Sequence, residues 1–405
     1  MRYTDEISTL RKSPKYKYAK IILESLLNRE IPDERVIKKL YKKSYKKIIS
    51  FCEHFLQEKY GVPRVHDISA PTLISDARLD IAKNKNFQII HHDLLDFKVP
   101  EKKYLEKFFG IYTDAVERSY TLFIQQKKIR KSGISMTCHH NRVACTFYEL
   151  NKDNPEIKWY ASVAALHDFI EDLMYTLKDE HGNRYTIENY QEFLDRMIPK
   201  DLQEPVKLLT NHYDMILKYV DYHLDKRGKR FNKDNVIEFL KMLDYQAYTE
   251  MKDFIIKTIN VIENSPYEET SSKDYLEDMK WKCYTELYIP ELVNMSYSDN
   301  AHHNAHLVLL VKIIDLSDNN HGLDSMDQNS KIKNIRKSVI TSDLIESLDK
   351  NRLLSNYTRE IREDALVKAE HFVLKDLMHE ESCQDFFVDA LVKIRKMRDV
   401  FYIQE

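Results

Sequence analysis

Apolar positions recur every three to four residues through most of this chain, the spacing of helices with one buried face. Tyr18, Ile22 and Leu26, with Ile21 beside them, make such a stripe near the N-terminus. Residues 37–49 make another, with Leu40, Ile48 and Ile49 packing inward and lysines interleaved with tyrosines elsewhere. A charge run of this kind ordinarily solvates a helix, and that reading is preferred to an RNA- or lipid-binding face. From 61 to 100 the period weakens and Pro63, Pro71 and Pro100 interrupt it, which predicts an irregular connector and a domain boundary near 95–105. Helical spacing returns from Tyr104 to Gln126, with Leu105, Phe108, Phe109, Tyr112, Val116 and Tyr120 on one face. Residues 185–245 read as helical with breaks at Pro199 and Pro205 and an exposed basic loop at 225–232. Helix pattern and polar loops alternate over 246–300. A long apolar helix then runs from Ala305 through Ile314, and after Gly322 come two C-terminal helices around 341–377 and 383–401.

Composition points the same way. Only 6 glycines and 10 prolines in 405 residues leave little material for the turns of an all-β or Rossmann architecture, so an all-α fold is expected. The length suits one large domain or two to three ordinary ones. A net charge of −2 argues for neither nucleic acid nor a membrane surface as partner. No apolar run approaches the roughly 20 residues of a membrane span. The five cysteines (Cys52, Cys138, Cys145, Cys283, Cys383) are scattered and form no C-x-x-C, which suits free thiols in a reducing, cytoplasmic setting. A secretion signal in a C-terminal tail, as bacterial effectors can use, would escape that inference.

The chemistry gathers in residues 127–177. Ala161, Val163, Ala164 and Ala165 lead into Leu166-His167-Asp168-Phe169-Ile170-Glu171-Asp172. On one continuous helix His167 would lie under Glu171 and Asp168 under Asp172, grouping four ionisable side chains on one surface. Burying three acids and an imidazole uncompensated would cost several kcal/mol, and a divalent cation is the simplest compensation. His139, in Thr137-Cys138-His139-His140-Asn141-Arg142-Val143-Ala144, is the upstream candidate ligand. Asp315, which breaks the apolar run from Leu307 to Ile314, is the downstream one, with Lys312 before it and Asn319 one turn on. Such a mixture of imidazole and carboxylate suits Mn²⁺, Fe²⁺, Zn²⁺ or Mg²⁺.

These motifs resemble, in order, those of the hydrolase domain of RelA/SpoT homologues, an HD-superfamily domain. Arg130-Lys131-Ser132-Gly133 matches its R-K-S-G, His139 with Val143-Ala144 its T-H-P-x-x-V-A, and Ala164 to Asp172 its A-A-L-L-H-D-x-x-E-D. Val206-Lys207-Leu208-Leu209-Thr210 resembles its leucine-threonine signature, and Val311 to Asn319 its V-K-L-A-D-R-L-H-N. The resemblance covers about residues 104–325. It implies an α-helical HD bundle over 101–325 with a large helical insertion around 177–285; the helical extension expected at 1–100 and the C-terminal helices expected at 326–405, packing on the bundle, are not explained by it. It also implies one Mn²⁺ and removal of the 3′-pyrophosphate from guanosine tetra- or pentaphosphate. Carried over, His139, His167, Asp168 and Asp315 would bind the metal, and Glu171 and Asp172 would position and deprotonate water. Arg130 and Lys131 would hold the base and phosphates, and Lys312 and Asn319 would line the nucleotide pocket. Three departures stand out: His140 replaces the family's proline and competes with His139 as ligand, Leu316 replaces an arginine, and Asp318 replaces a histidine. His139 is preferred because only that register aligns Val143-Ala144. Hydrolysis of another phosphorylated nucleotide, such as the phosphate of NADPH, is the alternative within enzymes. A non-catalytic scaffold that senses a nucleotide or binds a protein partner through the terminal extensions is the alternative outside them.

Other features carry less. His302 and His306 are spaced for a metal but read as a solvated helix start, His91 and His92 as surface, Cys138 as a structural thiol, and Tyr288-Ile289-Pro290 as a helix end.

Overall fold

The computed structural model describes residues 73–130, 133–154, 159–243, 249–265, 271–296, 305–323, 326–349, 354–362, 364, 365 and 368. The helices expected within 1–60 and 383–401, Lys131 and His302 lie outside these residues. The described residues are helical, their only β-structure being isolated bridges Ile129–Ser135 and Lys178–Arg184. None of the described helices is long and apolar enough to cross a membrane.

Two compact units divide the chain, one of residues 73–318 with 344–357, the other of 1–72, 319–343 and 358–405. The first holds the chemistry. Residues 73–95, expected as a connector, form helices α1 (Leu73–Lys83) and α2 (Lys85–Leu95), the second capped by Asn84. The short apolar stripes Ile74, Ala77, Ile81 and Phe87, Ile90, Leu94 are too brief to stand out in sequence, but all six are buried in the packed domain. Tyr104–Gln126 is two helices, α3 (Lys102–Phe109) and α4 (Thr113–Gln125), parted at Gly110, whose φ of +51° is readily reached only by glycine.

Helix α5 (Met136–Leu150) is central. From Thr137 to Phe147 every residue but Arg142 is buried, so it is covered on all sides, α1, α2, α4 and the short α6 (Tyr160–Ala165) packing round it. The segment expected as an insertion holds α8 (Tyr190–Met197), α9 (Lys200–Leu209), α10 (His212–Lys226), α11 (Lys233–Met242), α12 (Lys252–Asn264) and α13 (Ser272–Cys283), following α7 (Phe169–Leu173). Pro199 caps α9 as expected, but Pro205 lies inside it. Its ring is buried with Leu202, Val206 and Leu209, so packing offsets the lost backbone hydrogen bond. Tyr288-Ile289-Pro290 does not end a helix. A π-helical turn, Tyr284–Tyr288, runs directly into α14 (Ile289–Ser296), and Pro290, which has no N–H to donate, lies just past that turn. The apolar run Ala305–Ile314 extends as α15 (Ala305–His321), and α16 (Gln328–Leu348) follows. Within the second unit Leu323, Ile335, Val339 and Ala365 form a small core, and Ser338 and Lys368 donate to Asn320.

One buried group ties α10 to pH. His212 is 4% exposed, shares a 2.7 Å hydrogen bond with Tyr190 and stacks on Phe254. Burial, aided by Lys207, pushes its pKa from 6.5 down to about 3. Below the unfolded value the unfolded chain takes a proton that the folded chain refuses. Stability is therefore full above about pH 6.5 and declines toward pH 3. Urea unfolding at pH 7.5 and 4.5, in chelator, should show this decline reduced by about 2 kcal/mol in His212→Gln. An unchanged pH dependence would refute the buried neutral imidazole.

Candidate metal centre

The segment expected as one helix is broken at the point where the chemistry lies. Helix α6 stops at Ala165, residues 166–168 turn, and α7 restarts at Phe169. His167 and Asp168 therefore sit in a turn rather than stacked under Glu171 and Asp172. The turn frees the His167 ring to fold back, so that Nδ1 lies 2.7 Å from the Ala164 carbonyl. A carbonyl can only accept, so Nδ1 carries the proton and the Nε2 lone pair faces inward.

His139, on α5, is set the same way by a different partner. Its Nδ1 lies 2.7 Å from Asp318 Oδ2 on α15. Burial pushes the Asp318 pKa up, but Arg142 and His139 more than reverse this and hold it well below the usual carboxylate range. An ionised carboxylate accepts, so His139 too presents an Nε2 lone pair inward. Arg142 grips Asp318 with two hydrogen bonds of 2.8 Å, while Arg130 and Arg78 approach it at 3.5 and 3.8 Å.

Facing the two Nε2 atoms are two carboxylates. Asp168 Oδ2 lies 3.1 Å from His167 Nε2 and 3.8 Å from His139 Nε2. Asp315 Oδ1 lies 3.2 Å from His139 Nε2 and 3.6 Å from His167 Nε2. Neighbouring donors on a cation with bonds of roughly 2.1 Å stand about 3–3.5 Å apart, close to these separations. His167 Nε2 is buried and has no hydrogen-bond partner among the described residues. Inward lone pairs converging on carboxylate oxygens repel unless positive charge lies among them, so this buried His/Asp group can hold a metal ion. The electrostatics agree. Burial lowers the His167 pKa but Asp168 and Asp315 more than reverse this, so that without a cation a proton goes to the inward nitrogen, and Asp315 is held well below its own range, Lys312 and the histidines outweighing burial.

The other expected residues fall around this cluster. Glu171 accepts from the Asn211 backbone N–H, supplied by the insertion, and burial with nearby Asp168 raises its pKa. Burial, Asp168 and Glu171 push Asp172 up to about 7. Lys312 is buried, donates to Asp315 Oδ2 at 3.0 Å and stands 5.8 Å over the Tyr288 ring, whose hydroxyl is held by the Leu209 carbonyl. Its ammonium thus orients a proposed ligand instead of facing open space. Arg130 sits on a turn closed by hydrogen bonds from the Gly133 N–H to the Arg130 carbonyl and from the Arg130 N–H to that of Ile134. The φ of +79° at Gly133 explains the glycine of R-K-S-G. Asn319 is half-buried on the last turn of α15 and belongs to the second compact unit.

Asp318 is the residue whose part the sequence did not reveal. Its one signal was position, one turn beyond Asp315 on the apolar helix. His140 proves wholly buried, with Nε2 3.6 Å from Asp168 Oδ2. His91 stacks on Phe87 and is half-buried rather than on the surface, while His92 is exposed. Burial pushes the Cys138 thiol up to about 11, which removes the thiolate a nucleophile needs. Apart from this cluster, a cavity of about 360 Å³ lies between Tyr175, Arg184, Tyr185, Lys218, Tyr219 and Tyr222. The buried Tyr185 hydroxyl has no hydrogen-bond partner in the protein. Compared with protein-family models, with curated proteins and with solved structures, the chain matches none.

Proposed function

We propose that this chain is a metal-dependent HD-type phosphohydrolase acting on nucleotides, with the 3′-pyrophosphate of guanosine tetra- or pentaphosphate as substrate and Mn²⁺ as cation, in a cytoplasmic setting. The observation that carries this reading is the convergence of two buried imidazoles, each fixed by a hydrogen bond at Nδ1, on two carboxylates, Asp315 buried and Asp168 half-buried. Structural histidines have no need of that arrangement. His139, His167, Asp168 and Asp315 would hold the cation. Bound there, it would supply Lewis-acid activation of water and of a phosphoryl group.

This chain's own residues account for the rest. Glu171, anchored by the Asn211 N–H, orients the attacking water. Asp172, one residue on and less tightly held, takes up its proton. Lys312 keeps Asp315 aimed at the cation and stays ionised beside it. Arg130, on the Gly133 turn, offers charge to phosphate. The tyrosine-walled cavity is within the usual volume range of small-molecule sites and offers aromatic faces, and its Lys218 acts electrostatically on Glu171 and Asp172.

A second reading, hydrolysis of another phosphorylated nucleotide, has an observation in its favour. Arg130, which the resemblance assigns to the guanine base, is drawn toward Asp318, and Leu316, in place of an arginine, is 1% exposed. The test is phosphate and pyrophosphate release from guanosine tetraphosphate, NADPH and nucleoside triphosphates in Mn²⁺. Pyrophosphate from the tetraphosphate alone supports the first reading. Turnover of another compound alone supports the second, and none with metal bound refutes both in favour of a nucleotide-sensing or partner-binding scaffold.

A further inference from the structure

His140 has no part in the account so far. It is 0% exposed, and neither ring nitrogen has a hydrogen-bond partner among the described residues. Its ring meets Phe123 edge-on at 4.4 Å. Packing alone would be better served by phenylalanine, since two buried unsatisfied nitrogens each cost on the order of 1–3 kcal/mol. The chain nevertheless places an imidazole there, and in a position with donors around it.

His140 Nε2 points at Asp168 Oδ2 across 3.6 Å. With Asp172 these residues form a second group able to hold a metal ion, its ligand atoms all within 4.8 Å of one another. Asp168 is the residue this group shares with His139 and His167. A carboxylate shared between two donor sets is how paired cations are held about 3.5–4 Å apart in two-metal hydrolases. Charge argues the same way. Asp168, Glu171, Asp172 and Asp315 are close enough to shift one another's ionisation, and Lys312 is the buried ammonium set against them.

We propose that the centre takes a second divalent cation, held by His140 and Asp172 and sharing Asp168 with the first. The donor set, one imidazole nitrogen and two carboxylates, suits Mn²⁺, Fe²⁺ or Zn²⁺. The inference rests on the metal-binding part of the proposed function and not on the reaction. With Asp172 engaged, proton uptake in that reaction falls to Glu171.

The test is a metal count. The full chain is stripped with chelator, dialysed against MnCl₂, freed of excess, and analysed by mass spectrometry and Mn²⁺ electron paramagnetic resonance. Two Mn²⁺ per chain with an exchange-coupled spectrum are expected, falling to one uncoupled ion in His140→Phe, which keeps the ring contact with Phe123. If that variant does not fold, Asp172→Asn gives the same count. One ion in the unaltered chain, with His140 at most a further ligand to it, overturns the proposal, as do two ions in the variants. Two ions without hydrolysis of any nucleotide would refute the assigned reaction and leave this site standing.

Discussion

Asp168→Ala is expected to leave the folded protein unable to retain Mn²⁺ and to lower nucleotide hydrolysis by on the order of a thousandfold or more. Oδ2 of Asp168 is the oxygen on which three imidazoles converge, at 3.1 Å from His167, 3.6 Å from His140 and 3.8 Å from His139. No neighbouring side chain can replace it, because Asp315 is tied to Lys312 and Glu171 to the Asn211 backbone. Removing a carboxylate from a cluster of like charges also relieves repulsion on Glu171 and Asp172, so the fold is expected to survive. Circular dichroism, bound manganese and phosphate release on the same preparation check this. A folded variant that keeps its manganese would refute the assignment of Asp168 as a ligand.

The second large effect is expected at a residue that would touch neither substrate nor cation. Asp318→Asn keeps the shape of the side chain and removes its charge. An amide can present its NH₂ to His139 Nδ1 as readily as its oxygen, so the ring tautomer is no longer imposed. Loss of a carboxylate supporting a metal-binding histidine typically costs 10–100-fold in metal affinity, and a loss in that range is expected. The substitution also leaves Arg142 without the anion that holds it by two 2.8 Å hydrogen bonds, which should cost about 2 kcal/mol of stability. Manganese titration and urea unfolding read the two effects separately. Lower stability with unchanged manganese affinity would make Asp318 a structural partner of Arg142 and no more.

The helical character of the chain was legible because it is written locally. A period of three to four residues and a scarcity of glycine and proline act within a few turns, and tertiary packing did not override them. Local signals misled where the context was not local. Residues 73–95 looked irregular because each stripe has three apolar positions, yet those side chains are buried by packing on α5. Pro205 looked like a helix break, but its burial among apolar neighbours holds the helix together.

At the centre the same division holds. His139, His167, Asp168 and Asp315 could be picked out because polar groups in apolar runs demand an explanation, and ordered motifs offered one. The details that aim them at one point are partly local and partly not. The break at 166–168 sends His167 Nδ1 to Ala164, and Lys312 reaches Asp315 three residues along the same helix. Asp318 reaches His139 and Arg142 across 179 and 176 residues of chain. The stranding of His140 beside Asp168 depends on which helices meet. Residue types and helical period reside in the covalent chain and survive any packing. Ring tautomers, ionisation states and which donors face one another exist only once helices far apart in sequence exclude water from a common volume, because only there do a few ångströms of separation carry large electrostatic energies.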